Sequence, residues 1–395
     1  MKKIIIIISA LIIALFGLFW IYSNGASKNT SVENKVKDNG VSAENKILSS
    51  AVAIPEKVLS NRFGFLGGQE EENPFVGDVG GAWVRPHPGP FLWDSMQKDK
   101  NGKTDFSKTD KIVGYQQSQN YGTLATIWPF AEWDQKMRDG SDLCAVSNKD
   151  EFLSQNDKKG RGDYLPLHRC NPTNWEDYKK WVYSMVERYD GDGIDDMPNL
   201  KIPIKYWEVM NEPDLSYGNN APDKDRLTFY KEGPKEYAKL LIQTAEAIRS
   251  ADQDAKILIA GAAGADKQFL DFYRESLSVN GTKDAFDIGN VHCISNDQGT
   301  SDFNVGAYKK MLAEFKISKP IWVTEAESFN GKTAEENYEL TKKSTMGAIS
   351  AGAEKIFYTR YNFNDFRTDM SQKNVESEES IMASEKQYQS ITSQF

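Results

Sequence analysis

Eight short runs of β-branched and aromatic residues recur between residues 60 and 360, and segments with helical spacing separate most of them. Runs of this kind indicate strands, and apolar residues three and four positions apart indicate helices. The predicted strands are Arg62–Phe65, Gly81–Arg85, Leu124–Trp128, Ile204–Met210, Lys256–Ala260, Phe286–Ile294, Ile321–Thr324 and Lys355–Thr359. The predicted helices are Trp175–Tyr189, Tyr237–Ile248, Tyr308–Phe315, Ala334–Ala353 and Ser384–Phe395.

Strands that alternate with helices in this way predict an α/β fold, the (β/α)8 or TIM barrel. The first crossover, residues 66–80, is too short and too polar for an ordinary helix, so we expect the first helix to be truncated to a turn. A doubly wound open sheet is the alternative fold. That fold usually carries a glycine-rich phosphate loop after the first strand, and this sequence has none there.

The N-terminus contains two lysines followed by an unbroken apolar run from Ile4 to Tyr22. A run of this length behind positive charge can span a bilayer as a helix. We therefore predict a membrane anchor at residues 1–22, a disordered polar spacer at 23–55 and the barrel domain at 56–395, outside the cytoplasm. A cleaved signal segment is the alternative, and the protein would then be secreted.

Charge bears on the class of partner that the protein binds, and the cysteines bear on the compartment in which it works. The chain of 395 residues has a formal net charge of −9, and its Lys and Arg are scattered, which argues against a nucleic-acid partner. Cys144 and Cys170 flank a polar segment that resembles a loop, while Cys293 lies in a predicted strand. We predict a Cys144–Cys170 disulfide, with two free thiols as the alternative.

Two predicted strands lead directly into a carboxylate, the fourth into Glu212 and the seventh into Glu325. A carboxylate at the end of a buried strand is costly unless it has a task. In a (β/α)8 barrel the C-terminal ends of all strands meet at one mouth, where active sites lie. Two carboxylates there suggest the acid/base and nucleophile of a retaining glycosidase. Glu208 is expected in a buried ion pair lower in the barrel. Glu327, in the loop after the strand, is expected either to be solvated or to contact substrate hydroxyls.

The segment Trp207–Pro213 resembles the fourth-strand signature of the clan A glycoside hydrolases, and Ile321–Glu325 resembles their seventh strand. The resemblance covers roughly residues 60–395 and extends to the family 39 xylosidase-like and family 5 cellulase-like branches. It implies that Glu212 is the general acid/base and Glu325 the nucleophile. It also implies that Asn211 donates a hydrogen bond to the sugar 2-hydroxyl.

Four further residues are candidates for substrate binding. Arg85 matches the clan's arginine that bonds the nucleophile and keeps it ionised. His292, on the sixth strand, is expected to touch the same carboxylate or the sugar. Trp128 has inward parity on the third strand, and Tyr361 follows the eighth strand, where the clan commonly has a tryptophan. For Arg85 the alternative is an ordinary salt bridge, and for His292 and Trp128 it is a structural role.

No metal or other cofactor is expected, because the three histidines are far apart. The sequence also has no nucleophile elbow of a serine hydrolase and no P-loop. The predicted function is a retaining, membrane-anchored glycosidase that acts as a monomer on a β-linked oligosaccharide or polysaccharide. A transglycosylase that uses the same residues remains open. So does a surface carbohydrate-binding barrel without catalysis. The sequence leaves the sugar and the choice between exo and endo cleavage undetermined.

Overall fold

The computed structural model of the chain describes residues 51–67, 75–87, 89–135, 142–146, 165–217, 228–294, 301–327, 331, 333–359 and 378–395. The predicted membrane anchor at 1–22, most of the predicted spacer and Tyr361 lie outside these residues. Within them, no helix combines the length and the apolar character that crossing a bilayer requires. The membrane anchor therefore stays a prediction.

Each of the eight predicted strands is present, with bounds that differ by a few residues. The strands are β1 (Phe63–Leu66), β2 (Trp83–Arg85), β3 (Gly122–Ile127), β4 (Tyr206–Asn211), β5 (Lys256–Gly261), β6 (Gly289–Cys293), β7 (Ile321–Ala326) and β8 (Ala353–Tyr358). All of their pairings are parallel.

Helices follow the strands along the chain. They are α1 (Glu56–Leu59), α2 (Phe75–Asp78), α3 (Trp93–Met96), α4 (Ser107–Ser118), α5 (Glu132–Gln135), α6 (Trp175–Glu187), α7 (Pro234–Ala251), α8 (Lys267–Ser278), α9 (Val305–Glu314), α10 (Ala334–Ala351) and α11 (Glu378–Thr392). The five predicted helices are confirmed as α6, α7, α9, α10 and α11. The helices α4 and α8 and the four-residue helices α1, α3 and α5 are additions to the prediction. In the described part of the first crossover the only helix is the four-residue α2, as expected for a truncated first helix.

The sheet closes on itself into a barrel. Its strand order is β5-β4-β3-β2-β1-β8-β7-β6, and parallel bridges from Leu258 to Ile288 and from Ala262 to Val291 join the two end strands. The backbone N–H of His292 also donates to the carbonyl of Ala262 at 2.8 Å across this seam. The prediction of a (β/α)8 barrel is therefore confirmed over the doubly wound alternative.

Side chains fill the barrel in layers, because every second residue of a strand faces the same side. The lower layer is apolar and contains Trp83, Leu124, Leu258, Ile288, Trp322 and Phe357. Two residues further along several strands the inward side chains are polar yet fully buried. We call Arg85, Thr126, Glu208, Asn290 and Thr324 the buried polar layer. Burying so many polar groups is costly unless each one has partners, and this layer lies directly below the mouth.

A disulfide and the packing of N-terminal residues involve segments outside the barrel strands. Cys144 and Cys170 form a disulfide with an S–S distance of 2.08 Å and a Cα–Cα distance of 5.3 Å, as predicted. Residues expected to be the end of the spacer pack on the barrel, since Ile54 is buried and the N–H of Val52 donates to the carbonyl of Gly191 at 2.8 Å. The packed domain therefore begins before residue 56.

Candidate active site

The two carboxylates predicted from the strand ends meet at the mouth of the barrel. Glu212 directly follows β4, and Glu325 is the penultimate residue of β7. One carboxylate oxygen of each lies within 4.8 Å of the other and of a ring nitrogen of His292. Glu212 is 3% exposed and Glu325 is 7% exposed, so their charges are shielded from bulk water.

The backbone at the end of β4 is strained on both sides of Asn211. Met210 has φ 76° and Glu212 has φ 39°, values in the left-handed region that residues other than glycine rarely adopt. Such a conformation costs on the order of 1–3 kcal/mol and persists only where surrounding contacts hold it. Here it turns two consecutive side chains, Asn211 and Glu212, toward the same site.

Arg85 joins three of the acidic and amide side chains beneath the mouth. Its Nη1 donates to Glu325 Oε1 at 2.8 Å, its Nε to Glu208 Oε2 at 2.8 Å and its Nη2 to Asn211 Oδ1 at 2.7 Å. The contact to Glu325 is the one that the resemblance implied. The buried ion pair predicted for Glu208 is also present, at 2.8 Å from Arg85.

His292 is buried between the two carboxylates. Its Nδ1 lies 2.7 Å from Glu212 Oε1 and 3.7 Å from Glu325 Oε1, while its Nε2 lies 2.8 Å from Thr324 Oγ1. The sequence predicts that His292 touches Glu325 or the sugar. Its ring lies near Glu325, at 3.7 Å, and makes its shortest carboxylate contact with Glu212. Protein atoms engage both ring nitrogens, and the side chain has no exposed surface.

Burial controls the protonation of these groups. It raises the pKa of Glu212 to about 8, with Arg85 opposing the rise and Glu208 reinforcing it. It lowers the pKa of His292 to about 4, so the imidazole is neutral near pH 7. Burial also raises the pKa of Glu325, and His292 and Arg85 oppose that rise. A carboxyl that keeps its proton near neutral pH thus faces one that an arginine contacts directly.

No protein-family model and no curated protein matches the chain. Among solved structures, a glucosidase from Croceicoccus marinus is 12% identical with a TM-score of 0.56, over 87% of this chain and 70% of that one. A monomeric β-xylosidase from Caulobacter crescentus CB15 is 15% identical with a TM-score of 0.54, over 86% and 69%. A β-galactosidase from Bacillus circulans sp. alkalophilus is 11% identical with a TM-score of 0.55, over 86% and 56%.

The chain shares its (β/α)8 barrel fold with these solved structures. Likeness at these identities establishes the fold, so the fold that the resemblance implied is confirmed. The chain spans 70% of the glucosidase and 56% of the β-galactosidase.

Of the two predicted aromatic residues, Trp128 and Tyr361, the structure describes Trp128. Trp128 follows β3 with no exposed surface, and its ring centroid lies 5.6 Å from that of His87 and 5.7 Å from that of Phe229. Within the described part of the chain its Nε1 has no hydrogen-bond partner. Tyr361 lies outside the described residues.

Several residues near the carboxylates were not anticipated from the sequence. His87 Nε2 is 4.0 Å from Glu325 Oε1. Asp214 is fully buried, and its Oδ2 accepts from the N–H of Ala263 at 3.0 Å. Thr126, Asn290 and Thr324 of the buried polar layer surround Glu208. Strand parity was the available signal for Asn290, because it stands two residues before His292.

Among the described residues, two groups bring three metal-ligand atoms within 4.8 Å of one another. The first is Glu212, His292 and Glu325, where the guanidinium of Arg85 already supplies the positive charge at 2.8 Å from Glu325. The second is Asp190, Asp192 and Asp196. There both Asp196 oxygens accept from backbone N–H groups, of Gly191 at 2.9 Å and Gly193 at 2.8 Å. Neither geometry favours a metal over these partners.

Proposed function

We propose that the protein is a retaining glycosidase that cleaves β-linked glycans with Glu212 as acid/base and Glu325 as nucleophile. The observation that carries the proposal is the approach of these two buried carboxylates to within 4.8 Å at the mouth, in unequal environments. Retaining enzymes place their carboxyl groups about 5 Å apart, whereas inverting enzymes leave about 6.5–9.5 Å for a water molecule. The short separation therefore supports the retaining mechanism.

Each half-reaction uses one role of Glu212. In the first, its proton moves to the glycosidic oxygen while Glu325 attacks the anomeric carbon, the bond to the leaving sugar breaks and a covalent glycosyl-enzyme forms. In the second, the Glu212 carboxylate takes a proton from water as the water oxygen attacks the same carbon. Glu325 then leaves as a carboxylate. The raised pKa of Glu212, about 8, suits an acid that must be protonated in the resting enzyme.

In this proposal Asn211 holds the sugar at the reacting carbon. Its Oδ1 accepts from Arg85 Nη2 at 2.7 Å, and because arginine only donates, the amide orientation is fixed. Its Nδ2 is buried and has no partner among the described residues. A sugar 2-hydroxyl would satisfy this donor, and such a hydrogen bond strengthens in the transition state.

We also propose that the barrel acts as a monomer outside the cytoplasm, tethered through residues 1–22 or released after their cleavage. The Cys144–Cys170 disulfide supports an oxidising compartment. The structurally similar enzymes are named as a glucosidase, a β-xylosidase and a β-galactosidase, so their names do not single out one sugar.

The test is turnover of β-linked aryl glycosides and polysaccharides by the full chain, beside Glu325→Gln. Activity that the variant abolishes, with the first product released as the β-anomer in a proton NMR time course, supports the retaining proposal. The α-anomer as first product would contradict it. Longer oligosaccharides as the main products would favour the transglycosylase.

Two controls sharpen this test. Glu246→Gln removes an exposed carboxylate on α7, and it should retain activity. Sugar binding by both the parent and Glu325→Gln, with no turnover by either, would instead favour the non-catalytic carbohydrate-binding barrel.

A further inference from the structure

A chain of hydrogen bonds runs from the buried polar layer to the acid/base carboxyl. It passes from Glu208 to Asn290 at 2.6 Å, to Thr324 at 2.8 Å, to His292 at 2.8 Å and to Glu212 at 2.7 Å. All five side chains are buried, so protein partners determine the direction of each hydrogen bond.

The direction of these hydrogen bonds follows from Glu208, the first residue of the series. The two oxygens of Glu208 accept from Arg85 at 2.8 Å and from Thr126 at 2.5 Å, in addition to Asn290. Asn290 must turn its Nδ2 toward Glu208, because the opposite orientation would place its oxygen 2.6 Å from a carboxylate oxygen. Asn290 Oδ1 therefore faces Thr324 and can only accept.

Thr324 has one hydroxyl proton, and both of its deeper neighbours are acceptors. Asn290 Oδ1 lies at 2.8 Å and Glu208 Oε1 at 3.2 Å. The hydroxyl proton is committed to one of them, so Thr324 Oγ1 can only accept from His292 Nε2. The Nε2 atom must therefore carry a proton.

We infer that Asn290 and Thr324 fix the tautomer of His292 with its proton on Nε2 and thereby keep the catalytic proton on Glu212. This inference rests on the proposed acid/base role of Glu212. A neutral imidazole protonated at Nε2 presents a lone pair at Nδ1, and only a protonated Glu212 can donate to it. Burial, which lowers the pKa of His292 to about 4, supports the neutral state.

The fixed tautomer serves both steps of the proposed reaction. In the resting enzyme the Oε1–H of Glu212 donates to His292 Nδ1. The proton then passes to the glycosidic oxygen as the glycosidic bond breaks. The Oε1–H bond is broken and an O–H bond forms on the leaving sugar. The resulting carboxylate then faces the Nδ1 lone pair, which raises its proton affinity and favours uptake of a proton from the attacking water.

Other charged and titratable groups surround this pair. They are Arg85 on β2, Glu208 on β4, Asp214 after β4, Tyr273 on α8 and Glu325 on β7. Of these groups, only Glu208 forms a hydrogen bond with Thr324, at 3.2 Å. A change at Thr324 therefore acts on Glu212 through the imidazole.

Nitrogen NMR of the full chain tests the tautomer without any substrate. The protein has 3 histidines, so its imidazole spectrum is simple, and His168→Gln and His292→Gln assign the signals by their loss. We expect His292 to show a protonated Nε2 and an unprotonated Nδ1 across the neutral range. Protonation at Nδ1, alone or together with Nε2, would overturn the inference. This readout is independent of turnover, so it separates failure of the inference from failure of the proposed function.

The pH dependence of kcat/KM tests the consequence. In Thr324→Val the imidazole can place its proton on Nδ1 and donate to ionised Glu212. The alkaline limb should therefore move to lower pH by about one unit, a roughly tenfold loss on that side alone. Thr324→Ser keeps the hydroxyl and should restore the parental limb. An equal loss at every pH in folded Thr324→Val would show that Thr324 only supports the barrel, and the inference would fail.

Discussion

Gly261, the last residue of β5, leaves the space that the imidazole of His292 occupies. A Cβ built at position 261 would stand 2.0 Å from His292 Nε2, far inside van der Waals contact. Gly261 also pairs with Asn211 across the sheet, so the same residue borders two members of the site. The contact between His292 and Glu212 therefore requires a glycine, without a Cβ, at position 261.

The first prediction concerns Gly261→Ala. The added methyl group should displace His292 from both Glu212 and Thr324, and glycosidase activity should fall by about a hundredfold or more because the geometry of the site is lost. Turnover and the unfolding temperature measure the effect. Gly114→Ala is the matched control, because nothing lies within 4 Å of its Cβ position in α4. It should keep activity and gain about 0.5–1 kcal/mol. Parental activity in Gly261→Ala would contradict the assigned position of His292.

The second prediction concerns Arg85, whose removal leaves Glu208 and Glu325 buried without a countercharge. Arg85→Met should lower the free energy of unfolding by about 3–5 kcal/mol at pH 7. The loss should shrink at lower pH, because Arg85 lowers the pKa of Glu325 and its absence lets that carboxyl take a proton. Urea unfolding at several pH values tests this. Arg274→Met, which breaks a partly exposed pair with Glu314, should cost about 1 kcal/mol or less. Equal losses of unfolding free energy in Arg85→Met and Arg274→Met would contradict the expected cost of leaving Glu208 and Glu325 buried without a countercharge.

The third prediction follows from the raised pKa of Glu212. Between pH 4.5 and about 8 the folded protein holds a proton on Glu212 that the unfolded chain has lost, so this group destabilises the fold as pH rises. Glu212→Gln removes the effect. Its unfolding free energy relative to the parent should rise by about 1.4 kcal/mol per pH unit within that window.

Two comparisons isolate the contribution of Glu212. His292, with a pKa lowered to about 4, destabilises the fold only as pH falls through its ordinary pKa of 6.5, so the slope is read above pH 6.5, where His292 is neutral in both states. Glu246→Gln, at an exposed position on α7, is the control for the change from Glu to Gln itself. If the difference in unfolding free energy between Glu212→Gln and the parent does not change with pH, Glu212 has the same pKa in the folded and unfolded states.

The fourth prediction concerns the disulfide, which closes a loop with a sequence separation of 26. Replacing both Cys144 and Cys170 by serine should lower the free energy of unfolding by about 3 kcal/mol, as the unfolded chain regains freedom. Thiol labelling provides the control. The native parent should not react, since Cys293 is buried, and denaturation without reductant should expose that one thiol. Labelling of three cysteines without reductant would contradict the bond.

Much of this architecture could be predicted because it depends on local pattern. Strand runs, the carboxylates that end β4 and β7 and the inward parity of Arg85 all follow from the two-residue period of a strand. The contact between His292 and Glu212 could not. It depends on a register shift between Val291 and His292, which pairs His292 with Glu325 rather than with Thr324, and on the space left at Gly261. Register and space arise only when distant strands meet.

The last prediction separates the two roles of Asn211, which contacts Arg85 through Oδ1 and leaves Nδ2 without a described partner. If Nδ2 binds the sugar 2-hydroxyl, Asn211→Ala should lower kcat/KM by about a hundredfold on an ordinary glycoside. On the matching 2-deoxy glycoside the variant and the parent should differ by less than about tenfold, because the hydroxyl is already gone. Asn61→Ala is the control for nonspecific loss. It removes an exposed hydrogen bond to the carbonyl of Gly80, and these two residues precede β1 and β2. Equal losses on both substrates would show instead that Asn211 acts by positioning Arg85, since that contact does not depend on the sugar.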